Sequence, residues 1–268
     1  MDPRAKIEAL LRGLPGAPAF LPLVERLAPR LSGTSYAAMT DDPATWAAGV
    51  EQAARLVGAD AVAVGCDRDI ALRALRHSPD APETEPRMAA AVEALHRLVA
   101  MHRARLGCVA GIAGPASCAA AMAPGRSERE ALAAVKPGLT RLVEALAKQR
   151  PDLLLFFDDV PAEPSPDLKR LYATLKKVAA YYGMATGLYG TGEGFAALGL
   201  EVLFASRSAG APGGMVLPLP ADLAAAQTIM AEARASRAAG LGFTLAVTAD
   251  DDLETIRSIG AAVGTIAG

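Results

Sequence analysis

Aromatic residues are scarce in this 268-residue chain: Phe, Trp and Tyr together make up 4%, with a single Trp. An all-β sandwich draws heavily on aromatic and β-branched residues, so this composition argues against one. Cysteine is nearly absent as well. Cys66, Cys108 and Cys118 are too few and too scattered for a disulfide scaffold or a Cys-rich zinc module. Charge of neither sign dominates: 27 Lys+Arg stand against 29 Asp+Glu, a net charge of −2. That balance excludes the basic field by which a dedicated nucleic-acid binder neutralises phosphates. No apolar run of about 18 residues escapes charge, and the opening MDPRAKIEALLRG has no long apolar stretch. The expectation is a cytoplasmic globular protein with a small-molecule substrate and neither nucleic acid nor membrane as partner.

What is present is small aliphatic sequence, with 52% of residues hydrophobic and Ala, Val and Leu dominant. Short apolar runs ending in Gly, Pro, Asp or Ser predict strands at Ala19–Leu23, Ala61–Cys66, Cys108–Ile112, Leu153–Phe157, Met184–Tyr189, Glu201–Ala205, Met215–Leu219 and Phe243–Val247. Helical signals fill most gaps. Asp41-Asp42-Pro43 starts one helix, closed at Gly58. Ser127 with Glu130 forms a capping box heading another towards Lys148, which Pro137 is expected to kink or divide. Further helices are predicted at Pro86–Arg105, Pro166–Tyr182, Ala221–Ala239 and Asp250–Ala262. The gaps after the fifth and sixth strands are short. Eight strands at about 33 residues each match repeated strand–helix units, which require right-handed crossovers and a parallel sheet. The predicted fold is an α/β (β/α)8 barrel, a single domain over residues 1–268 with an extra N-terminal helix. No G-x-G-x-x-G follows the first strand, which counts against the doubly wound alternative.

Barrel chemistry collects where strands end. The second strand delivers Asp67 there, the fourth Asp158 and Asp159, the fifth Tyr189 with Glu193 in its loop, and the sixth Ser206 and Arg207. A carboxylate at the rim of an apolar core has its pKa raised towards the range useful for proton transfer. A single such Asp more often caps the next helix or pairs with an Arg, and it is the convergence of several on one rim that carries the functional reading. His77 falls in the long segment from Arg68 to Glu85, read as a possible lid, and Cys66 reads as a small buried hydrophobe.

The order of these pieces resembles the uroporphyrinogen decarboxylase superfamily, which also contains corrinoid- and cobalamin-dependent methyltransferases. The resemblance covers essentially the whole chain. APAFLPLVERLAPRLSG and DDPATWAAGVEQAARLVGADAVAVGCD are similar to the family's first strand and second unit. AGIAGPASCAAAM looks like its third-strand turn, with Gly114-Pro115 kept and Ser117 standing for a Thr. LVEALAKQRPDLLLFFDD resembles the fourth unit, and AAGLGFTLAVTADDDLETIRSIGAAV the last.

The resemblance implies a role for Asp67 like that of the decarboxylase Asp that binds pyrrole N–H groups and stabilises a protonated intermediate. The decarboxylase R-Q-A-G-R is replaced by Leu23-Val24-Glu25-Arg26-Leu27, so uroporphyrinogen itself is not the expected substrate. The methyltransferase zinc ligands, a His-x-Cys at the fifth strand and a later Cys, are missing: Gly187-Leu188-Tyr189 stands in place of the first two, and Phe243 sits near the later one. The resulting expectation is a diverged decarboxylase acting on a small or medium anionic substrate. Asp67, Asp158 and Asp159 are its candidate catalytic residues. Arg26, Ser117, Tyr189, Glu193, Arg207 and His77 are its candidate substrate-binding residues, with no metal and no cofactor. One alternative is a corrinoid-linked methyltransferase lacking the usual zinc, the only case in which a corrinoid protein is a partner. Another is a barrel that binds a ligand or partner without chemistry. Ala-rich outer helices make a homodimer possible.

Overall fold

A computed structural model describes residues 2–190, 193–205, 214–235 and 239–266. The chain opens with α1 (Pro3–Leu11), β1 (Ala19–Phe20), α2 (Ala28–Ser32), α3 (Tyr36–Asp41) and α4 (Pro43–Val57). There follow β2 (Ala61–Val64), α5 (Arg68–His77), a 3-10 turn at Pro82–Thr84, α6 (Pro86–His102) and β3 (Gly107–Ala113). Next come α7 (Pro115–Met122), α8 (Glu128–Ala147), β4 (Leu153–Phe157), α9 (Pro166–Tyr181) and β5 (Ala185–Tyr189). A 3-10 segment at Glu193–Leu198 leads to β6 (Val202–Phe204) and β7 (Gly214–Pro218). The last elements are α10 (Leu223–Ala235), β8 (Leu241–Thr244) and α11 (Leu253–Gly264).

The eight strands form one parallel sheet in the order β1-β8-β7-β6-β5-β4-β3-β2. It curls until β1 and β2 meet, giving a nearly closed (β/α)8 barrel in a single domain. Two apolar layers follow from the alternation of side chains along each strand. Ala61, Ala63, Val109, Leu153, Leu155 and Phe204 point into the barrel. Val62, Val64, Ala110, Leu154, Phe156 and Leu203 point outwards to the helices. The extra N-terminal helix closes the bottom, where Ile7 and Leu10 of α1 join the interior cluster. Arg4 of α1 pairs with Asp152 at 2.7 Å and Lys6 with Asp60 at 3.1 Å.

Carboxylates stitch neighbouring strands together at this lower end. Asp60, before β2, accepts the Phe20 N–H of β1 at 2.8 Å. Asp152, before β4, accepts the Cys108 N–H of β3 at 2.8 Å. Glu201, before β6, accepts the Thr186 N–H of β5 at 2.8 Å. Each acid satisfies a backbone donor at the start of the preceding strand.

Local signals work as expected at several ends. The Asp42 side chain accepts the Ala44 N–H, and Gly58 closes α4 in the left-handed conformation. Ser127 and Glu130 make the full reciprocal capping box. Pro137, however, does not divide its helix: α8 runs unbroken from Glu128 to Ala147. Burial of Leu132, Val135, Leu139 and Leu142 on both sides of the proline outweighs the ~3 kcal/mol that an interior Pro costs. Among the described residues, no α-helix follows β5 or β6. No described helix is long and apolar enough to cross a membrane.

Candidate functional site

The strands' carboxyl ends open into a groove of about 370 Å³, lined by Glu25, Arg26, Cys66, Asp67, Arg68, Phe157 and Tyr189, among others. Gly65 shapes one wall. Its φ of +78° turns the chain out of β2, and a side chain there would meet the Gly111 carbonyl oxygen at 2.7 Å. The turn carries Cys66, Asp67 and Arg68 onto the mouth.

Glu25, on the loop after β1, is the most unusual group at the site. It is 3% exposed and accepts the N–H groups of Gly65 at 3.3 Å and Cys66 at 2.8 Å. Burial raises its pKa from 4.5 to about 7 against the pull of those donors, and the nearby Asp67 charge adds to the rise. The Trp46 indole N–H approaches the same carboxylate and moderates the shift without closing a hydrogen bond. The Tyr36 hydroxyl, near Glu25 and Asp67, is also buried without a partner. Burial first, then those two carboxylates, holds the Tyr36 phenol well above its ordinary range. The same causes keep Cys66 a neutral thiol.

Asp67 stands at the rim as expected, with two tasks. It caps α5 by accepting the Asp69 N–H at 3.1 Å, and it pairs with Arg26 at 2.6 Å. The Arg26 guanidinium lies 4.1 Å from the centre of the Tyr36 ring, a cation–π stack that fixes its plane. Asp159 is exposed and pairs with Arg68 at 3.0 Å, and Tyr189 packs on Phe157 with ring centres 5.2 Å apart. Arg26, Asp67 and Tyr189 therefore share the groove, with Asp159 at its edge.

The other candidates lie elsewhere. Asp158 is fully buried below the rim and accepts from the Ala116 N–H, the Ser117 N–H and hydroxyl, and the Tyr172 hydroxyl at 2.6–2.9 Å. The start of α7 sits directly on this carboxylate. Gly190 also presses on the segment, since a Cβ there would fall 1.9 Å from the Asp158 carbonyl oxygen. Asp158 is thus placed as an anchor, and the Ser117 hydroxyl is committed to it. His77 is exposed in the last turn of α5 and does not line the groove. The first part of the segment read as a possible lid, Arg68–His77, is a helix with Ile70, Ala71, Ala74 and Leu75 buried. Glu193 begins the 3-10 segment, with its side chain outside the described residues. Arg207, with Ser206, also lies outside them.

A zinc site does not fit these residues. Gly187 has no side chain, and the Phe243 side chain has no donor atom and is fully buried in the outer layer. No group of three His, Cys, Asp or Glu among the described residues is arranged to hold a metal ion.

The groove therefore offers general acid–base chemistry at the mouth of a (β/α)8 barrel. Compared with solved structures, the chain is similar to a methyltransferase from Methanosarcina mazei, with a TM-score of 0.76 and 18% identity. That match covers 98% of this chain and 98% of the other. A protein from Burkholderia cenocepacia J2315, provisionally assigned as a phosphonomutase, matches with a TM-score of 0.41 and 16% identity, over 96% of this chain and 88% of that one. No protein-family model matches the sequence, and no curated protein matches it. The first likeness shows a shared barrel fold; none of these findings points to uroporphyrinogen decarboxylase in particular.

Proposed function

We propose that this chain catalyses methyl transfer at the barrel mouth, from a corrinoid-carrying partner protein to a small acceptor, without the zinc of the methyltransferases it resembles. The observation that carries the reading is Glu25, a buried carboxylate lining the groove and titrating at about 7. Zinc activates an acceptor thiol by lowering its pKa. A carboxylate poised near neutrality is the other physical means to the same end. As the acceptor's lone pair attacks the methyl carbon, its proton passes to a Glu25 oxygen. The new bond to methyl forms as the old one breaks, and that bond's electron pair stays with the donor. The methylated corrinoid supplies the methyl group. The groove, at about 370 Å³, suits a small acceptor and has no room for a corrin ring, so the corrinoid is assigned to the partner.

Around that step, Arg26 and Asp67 hold one another across the β1–β2 gap, and Cys66, Phe157 and Tyr189 give the acceptor an apolar wall. The likeness to the M. mazei methyltransferase over the whole chain supports the reading. A decarboxylase draws less support. A substrate carboxylate needs a free cation, and among the described residues of the groove Arg26 is paired with Asp67 and Arg68 with Asp159. The test is the absorbance of methylcobalamin, or of a methylated corrinoid protein, on addition of this protein and an acceptor thiol. Loss of the methyl–cobalt spectrum, slowed in Glu25→Gln, is the expected result. No spectral change across a panel of acceptors would overturn the reading.

A further inference from the structure

We infer that the small molecule taken by this mouth carries a positive charge, an organic ammonium a short chain away from its nucleophilic atom. Its chemistry rests on the methyl-transfer reading, whereas its binding rests on the groove alone. Charge is the first argument. The Arg26 guanidinium is matched by Asp67 at 2.6 Å and the Arg68 guanidinium by Asp159 at 3.0 Å. Asp69 also lines the groove, and its exposed carboxylate joins no ion pair among the described residues. With Arg26 cancelled by Asp67 within the lining and Arg68 by Asp159 at its edge, Asp69 leaves a surplus of one negative charge, which Glu25 raises to two when ionised. An anionic ligand meets that surplus and finds no unpaired cation among the described residues of the groove.

The lining gives a second argument. Phe157 and Tyr189 stand side by side in the groove, 5.2 Å between ring centres and tilted by 38°. Aromatic faces next to carboxylates attract ammonium groups and repel anions. The third argument comes from behind the groove. The Trp46 side chain is fully buried, and its unpartnered N–H is directed at Glu25. A buried donor without a partner is destabilising, and it gains an acceptor most fully when Glu25 is ionised. A cation seated over Glu25 favours that ionised form, so ligand charge and the idle donor act together.

The experiment compares three thiols of matched length: cysteamine, 2-mercaptoethanol and 2-mercaptoethanesulfonate. Binding is read by calorimetry and by the emission of Trp46, the only tryptophan in the chain. The expected order is ammonium, then neutral, then sulfonate, with differences that shrink as salt is added. Asp69→Asn is expected to weaken cysteamine roughly two- to fivefold, the span of an exposed ion pair, and to leave 2-mercaptoethanol unchanged. Equal affinities, preference for the sulfonate, or no binding by any of the three would overturn the inference. Binding of cysteamine without any methyl transfer to it would leave the inference standing and remove the methyl-transfer reading. Fastest methylation of the sulfonate would do the reverse.

Discussion

The Cys66 N–H donates to the Glu25 carboxylate at 2.8 Å, joining the end of β1 to the end of β2. These two strands stand at opposite ends of the hydrogen-bonded order, so the barrel closes where they meet. At the lower end Asp60 makes the matching link to Phe20, also at 2.8 Å. Two carboxylates therefore hold the seam, and the upper one lines the groove. The architecture that buries Glu25 is the same one that raises its pKa.

That burial has a signature in stability. Glu25 binds its proton more tightly folded, at about 7, than unfolded, at 4.5. The folded state therefore takes up a proton between those values, and stability falls as pH rises through that window. The accumulated cost is about 3 kcal/mol by the usual conversion. Glu25→Gln is expected to flatten the slope between pH 4.5 and about 7. Urea unfolding at several pH values checks this, and an unaltered slope in the variant would contradict it.

Asp158 predicts a different phenotype. Its removal leaves the Ala116 and Ser117 N–H groups and the Tyr172 hydroxyl without an acceptor in a buried place. Asp158→Ala should cost on the order of 4 kcal/mol in stability. Chemical denaturation measures it, and a loss under about 1 kcal/mol would refute the anchoring role.

The Arg26–Asp67 pair is half open to solvent, with the Arg26 side chain 55% exposed. A double-mutant cycle on Arg26→Met and Asp67→Asn should give a coupling of roughly 0.2–1 kcal/mol, reduced by salt. A much larger coupling would mean that the pair is better shielded than its exposure indicates.

Metal removal should be silent. With no three-ligand cluster among the described residues, EDTA is expected to leave the melting temperature unchanged. Elemental analysis is expected to find no stoichiometric zinc. One tightly held equivalent would overturn the zinc-free account.

Much of the barrel is legible in the sequence because buried parallel strands are short unbroken apolar runs. The strand at Leu153–Phe157 coincides with the expectation residue for residue. The first falls short, ending at Phe20 where Leu23 was expected. Pairing with β8 continues past Phe20 only as separate bonds: Leu21 and Leu23 donate to the Phe243 and Leu245 carbonyls at 2.8 Å, and Leu23 forms an isolated bridge to Ala246. The helix α5 was readable in retrospect: Asp67 caps it, and Ile70, Ala71, Ala74 and Leu75 repeat at helical spacing. Sequence alone does not separate Asp67 from Asp158, since both are acids following an apolar strand. What separates them is α7, whose first turn lies over one and not the other. Glu25 carries no local signal at all. Its burial and its two backbone donors come from β2, 40 residues on.

The most direct test of the central claim is the pH dependence of methyl transfer from methylcobalamin to an acceptor thiol. Wild-type protein should show a rate rising through about 7 as Glu25 becomes able to take the acceptor's proton. Glu25→Gln, folded to the same extent by circular dichroism, should lose that rise and most of the rate. A Glu25→Gln variant with the wild-type rate and profile would contradict the assignment of Glu25 as the base.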